Sequence, residues 1–404
     1  MFDVAVVGGG PTGCYAASLL GQRGLDVHVL EEHSVIGEPV NCSGVIGAEA
    51  FATLRLPDSL KLGEISRLTL VSPSKLEVNF SPQSPLAYIV DRAAFDRVMA
   101  DKTSTAGVTI HLGAAVVDLH VMNGCVELDV KENVNSQEKI EVRNSKFGNG
   151  HRKIKAGMVI LAGGPHYKLQ RKLGMGEPRR FLRTAQAEVE VQGIKETKVL
   201  MGSQVAPGSF GWIVPFQRGG SEFARIGVSS KTSALPYLKT LFEELRSQGH
   251  LRSSNPPIRS WLIPITPIRR TFAERVLAVG DAAGQTKPTT GGGIFYGLLC
   301  AEAIAQTAAG AFEKGDFSSN ALRTYEKKWW KRLGKEIRIG TLFRRLAERL
   351  TDKEIDGLFR VVQSDGILRA VTHKARFDWH KDVIYFALRH PALGRIFLKG
   401  LFRK

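Results

Sequence analysis

The chain has 404 residues, 43% hydrophobic and 24% charged, enough apolar material for one large or two to three smaller globular domains, which argues against a disordered chain. Its four cysteines (Cys14, Cys42, Cys125 and Cys300) are scattered with no C-x-x-C, which argues against a disulfide framework or a structural zinc site and for a reducing compartment. The net charge of +17 is uneven: residues 321–404 hold 21 Lys/Arg against 9 Asp/Glu, so either solubility or an anionic partner (membrane surface, diphosphate, nucleic acid) accounts for it.

In chain order, an apolar strand, Phe2–Val7, runs into Gly8-Gly9-Gly10-Pro11-Thr12-Gly13 and a helix over 13–22. This is G-x-G-x-x-G between a strand and a helix. Gly8 permits the tight turn, Gly10 lets a pyrophosphate approach the backbone, and Gly13 lets the helix pack on the strand. The helix N-terminus then faces the phosphates. A second strand, Val27–Leu30, ends at Glu31, eighteen residues beyond Gly13. A carboxylate there accepts hydrogen bonds from ribose hydroxyls and disfavours a 2′-phosphate. Together these predict an adenine-dinucleotide site. The start, Met1-Phe2-Asp3, lacks a basic n-region, so no signal peptide is expected.

Leu68–Val71 and 76–80 alternate as strands. Tyr88-Ile89-Val90-Asp91-Arg92 enters a helix over 93–105, and 109–112 reads as a parallel strand after it. Residues 115–160 read as a small antiparallel meander, with an exposed hairpin tip expected in the polar stretch 131–155. A strand over 158–162 ends in Gly163-Gly164. From about 180 to 270 the strands lengthen (184–191, 211–215, 223–229), with a helix over 235–248 among them. A strand over 275–279 then leads into Gly280-Asp281-Ala282-Ala283-Gly284, a Thr/Gly-rich loop and an apolar helix. That helix contains Glu302 and Gln306 and reads as buried, not membrane-spanning. Beyond Asp316 the chain reads as helical and basic.

Several features favour a flavin as the other half of the dinucleotide. The fold is split by inserts and closed by a distant segment. Asp281, at a strand end, can bond ribityl hydroxyls, and the small residues through Gly284 let a flat ligand approach. Gly291-Gly292-Gly293 opens a helix whose positive end can stabilise a reduced isoalloxazine. Arg92 either bonds the pyrophosphate or ribityl chain or forms a surface salt bridge. Asp96, one turn on, caps or pairs structurally, and Ala162-Gly163-Gly164 passes the adenosine side.

The order of G-x-G-x-x-G, Glu31, Asp91-Arg92-x-x-Phe95-Asp96, Ala162-Gly163-Gly164 and Gly280-Asp281-Ala282-Ala283-Gly284 resembles the FAD-dependent hydroxylase-like flavoproteins. Within them, three segments resemble the geranylgeranyl reductase family: Pro39-Val40-Asn41-Cys42-Ser43-Gly44 (P-x-x-C-x-G), Pro288-Thr289-Thr290-Gly291-Gly292-Gly293-Ile294 (P-x-T-G-x-G-I) and Phe210-Gly211-Trp212-Ile213-Val214-Pro215 (aromatic-x-W-x-F-P). The resemblance covers about residues 1–315. Phe210 stands where the family usually has Tyr, and Val214 where it usually has Phe, so a hydroxyl is lost and the cavity floor is smaller.

The resemblance implies an α/β fold. A Rossmann-type FAD-binding domain, p-hydroxybenzoate-hydroxylase-like, is expected over 1–65, 88–175 and 270–315. An antiparallel-sheet substrate domain is expected over 66–87 and 176–269, and a basic helical C-terminal region over 316–404. FAD is expected to meet Gly8, Gly10, Gly13, Glu31, Arg92, Gly163, Asp281, Gly284, Gly292 and Gly293. The implied reaction is reduction of isolated C=C bonds in a prenyl chain on a lipid, diphosphate or quinone-like substrate. Reduced flavin gives hydride, and a positioned acid or water gives the proton. Phe210, Trp212 and Pro215 are candidates for an apolar substrate tunnel, against ordinary core packing. Cys42 is the first catalytic candidate, because similar family members place a Cys of this segment close to flavin and substrate; otherwise it is a small buried hydrophobe. Tyr296 either reaches the flavin face or packs. Cys14 and Cys300 read as packing residues.

No second dinucleotide fingerprint is present, so the electron donor is expected to be transiently bound NAD(P)H or a protein such as ferredoxin. Leu393, Ile396, Phe397 and Leu401 fall at helical spacing beside a stripe of Arg395, Lys399 and Arg403. Such a helix lies in a membrane interface or docks on the core, which fits a cytoplasmic protein peripheral to a membrane. No nucleic-acid motif accompanies the aromatic-basic cluster over 325–332, so no nucleic acid is expected. Two other classes stay open. One is a flavin monooxygenase or halogenase; halogenases carry W-x-W-x-I-P and need a lysine beyond the first helix, for which Lys75 is a candidate, but P-x-x-C-x-G argues against this class. The other is a non-enzymatic, flavin-bound, membrane-docked interaction protein.

Overall fold

A computed structural model describes residues 1–132, 150–253, 255–364 and 366–401. Most of the hairpin tip expected over 131–155 therefore lies outside the described residues.

The first sheet has eight strands. Phe2–Val7 pairs in parallel with Val27–Leu30 on one side and with His151–Leu161 on the other. Thr109–His111 extends the sheet beyond Val27–Leu30, and Val276–Ala278 extends it beyond His151–Leu161, both in parallel. The 151–161 strand explains how a meander and a parallel sheet share one element. Its first half pairs antiparallel with Cys125–Glu132, which pairs with Ala114–Met122, while its second half sits between two parallel neighbours. Residues 156–161 are buried without a break, as a strand covered on both faces requires. The strand expected over 275–279 is shorter because Arg275 takes φ +57 and turns the chain. The first helix, Pro11–Gly21, begins earlier than expected; the fixed φ of proline suits the first helical turn.

The second sheet has seven strands, in the order 259–264, 181–190, 221–230, 211–218, 197–200, 68–71 and 77–80. The pair at 68–80 thus joins the sheet formed by the distant segment 181–264. Helix Leu235–Ser247 lays Leu238, Leu241, Phe242 and Leu245 over one face, leaving the other face for the cavity described below. A small antiparallel sheet of Val45–Gly47, Lys61–Ile65 and Ala87–Val90 lies between.

Helix Ile294–Lys314 is long and apolar enough to cross a membrane, yet it is mostly buried in the main core. The next helix, Ser319–Ala347, buries Leu322, Tyr325, Trp329, Leu333 and Ile337 in that core, one stripe at helical spacing. The C-terminal region is therefore built into the fold. Its later helices are Asp352–Gln363, Ile367–Lys374, Lys381–Arg389 and Pro391–Leu401. The apolar stripe of the last one follows the second of its two readings, docking on the core, at Leu393 and Phe397. Leu393 and Phe397 are buried, and the Phe397 ring lies 5.3 Å from that of Phe343, so protein covers these two residues of the stripe.

Candidate cofactor and substrate site

The turn after Phe2–Val7, the glycines after His151–Leu161 and the turn after Val276–Ala278 all follow the C-terminal ends of neighbouring parallel strands. Ligands bind at such ends in open α/β sheets. Here all three line one cavity of about 1090 Å³.

The dinucleotide end is built from backbone groups and one acid. Gly8 takes φ +107, and a Cβ on Gly13 would lie 2.1 Å from Gly8 O, so Gly13 is needed for the helix to rest on the turn. A Cβ on Gly10 would meet nothing within 4 Å, leaving open space over the N-terminus of the helix. Glu31 Oε2 accepts from Gly9 N–H at 2.6 Å, and Oε1 accepts from His33 N–H at 2.9 Å. Gly163 lines the same cavity.

Arg92 opens helix Arg92–Thr105, capped by Asp91, which accepts from Ala94 N–H at 3.0 Å. The guanidinium reaches both Asp96 oxygens, at 2.6 and 2.7 Å. This buried pair replaces the surface salt bridge considered for Arg92 and matches the pairing role read for Asp96. Burial works against the Arg92 charge, but Asp96 and Cys42 beside it more than offset that, and its pKa is raised. Its Nε has no hydrogen-bond partner.

Asp281 sits in the turn Gly280–Ala283. Tyr167 Oη donates to its carbonyl at 2.8 Å, and Gln285 Oε1 accepts from Gly280 N–H at 2.9 Å. Burial pushes its carboxyl up to about 6, with Arg92 pulling the other way. Among the described residues, no protein donor meets this carboxylate. An open backbone cradle at Gly10, an unpaired Arg92 Nε and a free acceptor at Asp281 fit a ligand that carries a pyrophosphate and a polyol. FAD has both. Gly292 and Gly293 line the cavity beyond Asp281.

The substrate end is apolar. Strand Gly211–Arg218 and the residue before it turn Phe210, Trp212 and Val214 into the cavity, beside Leu68, Leu70 and Phe80. Cys42, half-buried, lines the wall between the two ends. Its carbonyl accepts from Gln186 Nε2 at 3.1 Å, and Gln186 Oε1 accepts from Trp212 Nε1 at 2.9 Å. Arg225 donates to Ser43 O at 2.9 Å and Val90 O at 3.0 Å. One glutamine and one arginine thus fix the Cys42 loop to the substrate sheet.

Four expectations are corrected. Pro215 is off the cavity wall, because strand alternation turns it and Ile213 away from the face carrying Trp212; Val214 holds the wall position instead. Tyr296 is 2% exposed in the core, its ring 6.1 Å from that of Trp379; burial raises its phenol pKa, and it does not reach the cavity. Gly284, at φ +66, packs against the 266–267 backbone, where a Cβ would lie 2.2 Å from Thr266 O; it shapes the turn without lining the cavity. Lys75 is on the surface, 2.7 Å from Glu244 Oε1, away from the cavity.

The sequence reading missed Lys287, Trp261 and Ile263, and also the C-terminal stretch from Val371 to Val383, whose Phe377, Asp378 and His380 form part of the wall. Lys287 alone left a signal, as the one charged residue between Asp281 and Glu302.

Fold and site define an FAD-dependent oxidoreductase. The chain belongs to the FAD binding domain family, whose model matches residues 1–333. It is 28% identical over 372 residues to the digeranylgeranylglycerophospholipid reductase of Methanocaldococcus jannaschii, covering 89% of this chain and 90% of that one. It is 29% identical over 374 residues to digeranylgeranylglycerophospholipid reductase 2 of Methanothermobacter thermautotrophicus, covering 90% and 92%. Among solved structures, a geranylgeranyl bacteriochlorophyll reductase-like protein from Thermoplasma acidophilum aligns with a TM-score of 0.82 at 21% identity over 99% of both chains. The p-nitrophenol 4-monooxygenase of Pseudomonas putida aligns at 0.68 and 17% identity, over 92% of this chain and 97% of that one. At such identities the structures speak to fold alone. The resemblance to the geranylgeranyl reductase family, the fold class and the FAD cofactor are borne out.

Proposed function

We propose that this protein saturates C=C bonds of a geranylgeranyl-type prenyl chain on a lipid, diphosphate or quinone-like substrate. The observation that carries the proposal is a single cavity, continuous from the glycine turn at Gly8–Gly10 to the apolar wall of Phe210, Trp212 and Val214. The names of the sequence relatives support the same reading.

FAD, when bound and reduced, supplies the hydride. The protein's own residues do the rest. Gly10, Glu31, Arg92 and Asp281 bind and orient the cofactor. The apolar wall takes the prenyl chain out of water, at about 25 cal/mol per Å² buried, and holds an unreactive alkene at one place, so that proximity makes up for its poor electrophilicity. Cys42, beside Arg92 on the wall between the two ends, is the group that holds a proton for the second alkene carbon. Gln186 positions it through its carbonyl.

The cofactor is held by the eight-stranded sheet with its inserts, and the substrate lies against the seven-stranded sheet. Electrons come from NAD(P)H or a ferredoxin-like protein. Peripheral membrane contact on the cytoplasmic side, through the basic surface of 316–404, belongs to the same proposal. Arg395, Leu398 and Lys399 are exposed on the last helix. The test is reduction of geranylgeranyl lipids, diphosphates and quinones by FAD-loaded, dithionite-reduced protein, read by mass spectrometry as H₂ gained per bond. Liposome flotation reads the membrane contact.

A further inference from the structure

The cavity wall carries a buried ion pair that neither cofactor binding nor the apolar trough explains. Lys287 Nζ lies 2.7 Å from Asp378 Oδ1 and donates to Phe377 O at 3.1 Å. The two side chains are only 5% and 4% exposed. Two backbone hydrogen bonds tie Lys287 to the glycine loop: its N–H donates to Gly292 O at 3.0 Å, and its C=O accepts from Gly291 N–H at 2.8 Å. A Cβ on Gly292 would lie 2.6 Å from Lys287 Cε and 3.0 Å from Nζ, so the ammonium group rests against the backbone of that loop.

Asp378 arrives from the C-terminal region in a firmly anchored segment. Trp379 Nε1 donates to Glu49 Oε2 at 2.8 Å, and the N–H groups of His380 and Lys381 both donate to Glu336 Oε2 at 3.0 Å. The second oxygen of Asp378, Oδ2, is buried with no hydrogen-bond partner.

A buried ion pair is a weak device for stability, because desolvating two charges offsets most of their attraction and apolar residues would join the segments as well. Its place in the cavity is more informative. A dinucleotide resting on Gly8–Gly10 and Glu31 is directed along the cavity past Asp281 toward Gly292 and Gly293, which puts its redox-active end on the side of the pair. Charges in a water-poor site act strongly on any charge that develops beside them. The Lys287 charge already acts on the cavity-lining His380, whose pKa is pushed down to about 4, first by burial and then by Lys287.

We propose that the Lys287–Asp378 pair sets the reduction potential of the bound FAD, Lys287 raising it and Asp378 holding that effect in check. The inference rests on FAD binding in this cavity and not on which substrate is reduced. Gaining electrons makes the bound cofactor more negative. A cation beside it favours the reduced form, and an anion opposes it.

The test is spectroelectrochemical titration of the full-length, FAD-loaded protein, with every variant measured at the same pH. Asp378→Asn leaves the ammonium group uncompensated and is expected to shift the midpoint potential upward. Lys287→Met leaves the carboxylate and is expected to shift it downward. The double variant removes both charges and is expected to return near the wild-type value, and Lys287→Arg, which keeps the charge, is expected to stay near it. If Asp378→Asn does not take up flavin, the contrast between Lys287→Met and Lys287→Arg decides. Absent shifts, shifts of the same sign, or equal effects of Met and Arg overturn the proposal. Yellow variants with unmoved potentials leave the FAD assignment standing, whereas a wild type that takes up no flavin removes the assignment itself.

Discussion

The Asp281 carboxylate occupies the space in which Gly293 would carry a side chain: a Cβ on Gly293 would lie 2.5 Å from Asp281 Oδ1. This contact joins the turn after strand Val276–Ala278 to the N-terminus of helix Ile294–Lys314, two elements that line the same cavity. Gly293→Ala is expected to displace the carboxylate and weaken FAD binding about tenfold or more, roughly 1.4 kcal/mol. Fluorescence titration with FAD checks this, with far-UV circular dichroism unchanged. Wild-type affinity in the variant would separate Asp281 from the cofactor.

Asp281 also predicts a pH dependence. Its carboxyl is raised to about 6 by burial, above the unfolded value of about 3.9. Without cofactor, the folded state binds the extra proton between those values. Stability from this group is therefore present in acid and lost as pH rises through about 6. Hydroxyl donors on FAD favour the ionised form, so FAD affinity is expected to rise with pH through the same window and level off above it. Asp281→Asn is expected to flatten both the binding curve and the cofactor-free melting curve. A wild-type affinity that is flat from acid to neutral pH contradicts this.

On the substrate wall, alternation separates neighbours. Val214→Trp is expected to fill the trough and raise KM for a prenyl substrate, with FAD content unchanged. Pro215→Val, on the other side of the strand, is expected to leave KM within about twofold, since changes away from a site are small. Equal effects at both positions would argue against this wall as the substrate surface.

Cys42→Ala is expected to lower kcat about tenfold or more, which corresponds to roughly 1.4 kcal/mol in the barrier, while the protein stays fully flavinated. Undiminished turnover would leave Cys42 as a packing residue.

For the last helix, burial predicts a stability effect. Phe397→Ala removes a ring packed near Phe343 and is expected to destabilise the protein by about 3–5 kcal/mol. The melting temperature should fall while liposome binding is unaffected. A loss of liposome binding with no change in melting would restore the membrane role of this stripe.

The cofactor half of the site was legible because its chemistry depends on backbone and short spacing. A glycine turn between a strand and a helix, an acid at a strand end and a Gly-Asp turn each leave a local mark. Strand alternation was equally readable along 210–214. The family motif, taken without that alternation, carried Pro215 to the wrong face and left Val214 off the wall. The rest was hidden because it depends on contacts between distant segments. Nothing near Phe377 or Asp378 announces that this stretch closes a cavity begun at Gly8. Apolar periodicity in 393–401 was real, but amphipathicity does not say whether protein or lipid covers the face. Tyr296 was drawn to the cofactor by its nearness in sequence to Gly293, yet helix geometry turns it into the core.

The most direct measurement is mass spectrometry of geranylgeranyl lipids, diphosphates and quinones incubated with the dithionite-reduced, FAD-loaded protein. The account predicts products heavier by H₂ for each bond reduced in at least one of these classes, absent when the flavin is left oxidised. A fully flavinated protein that returns every prenyl substrate unchanged would contradict it.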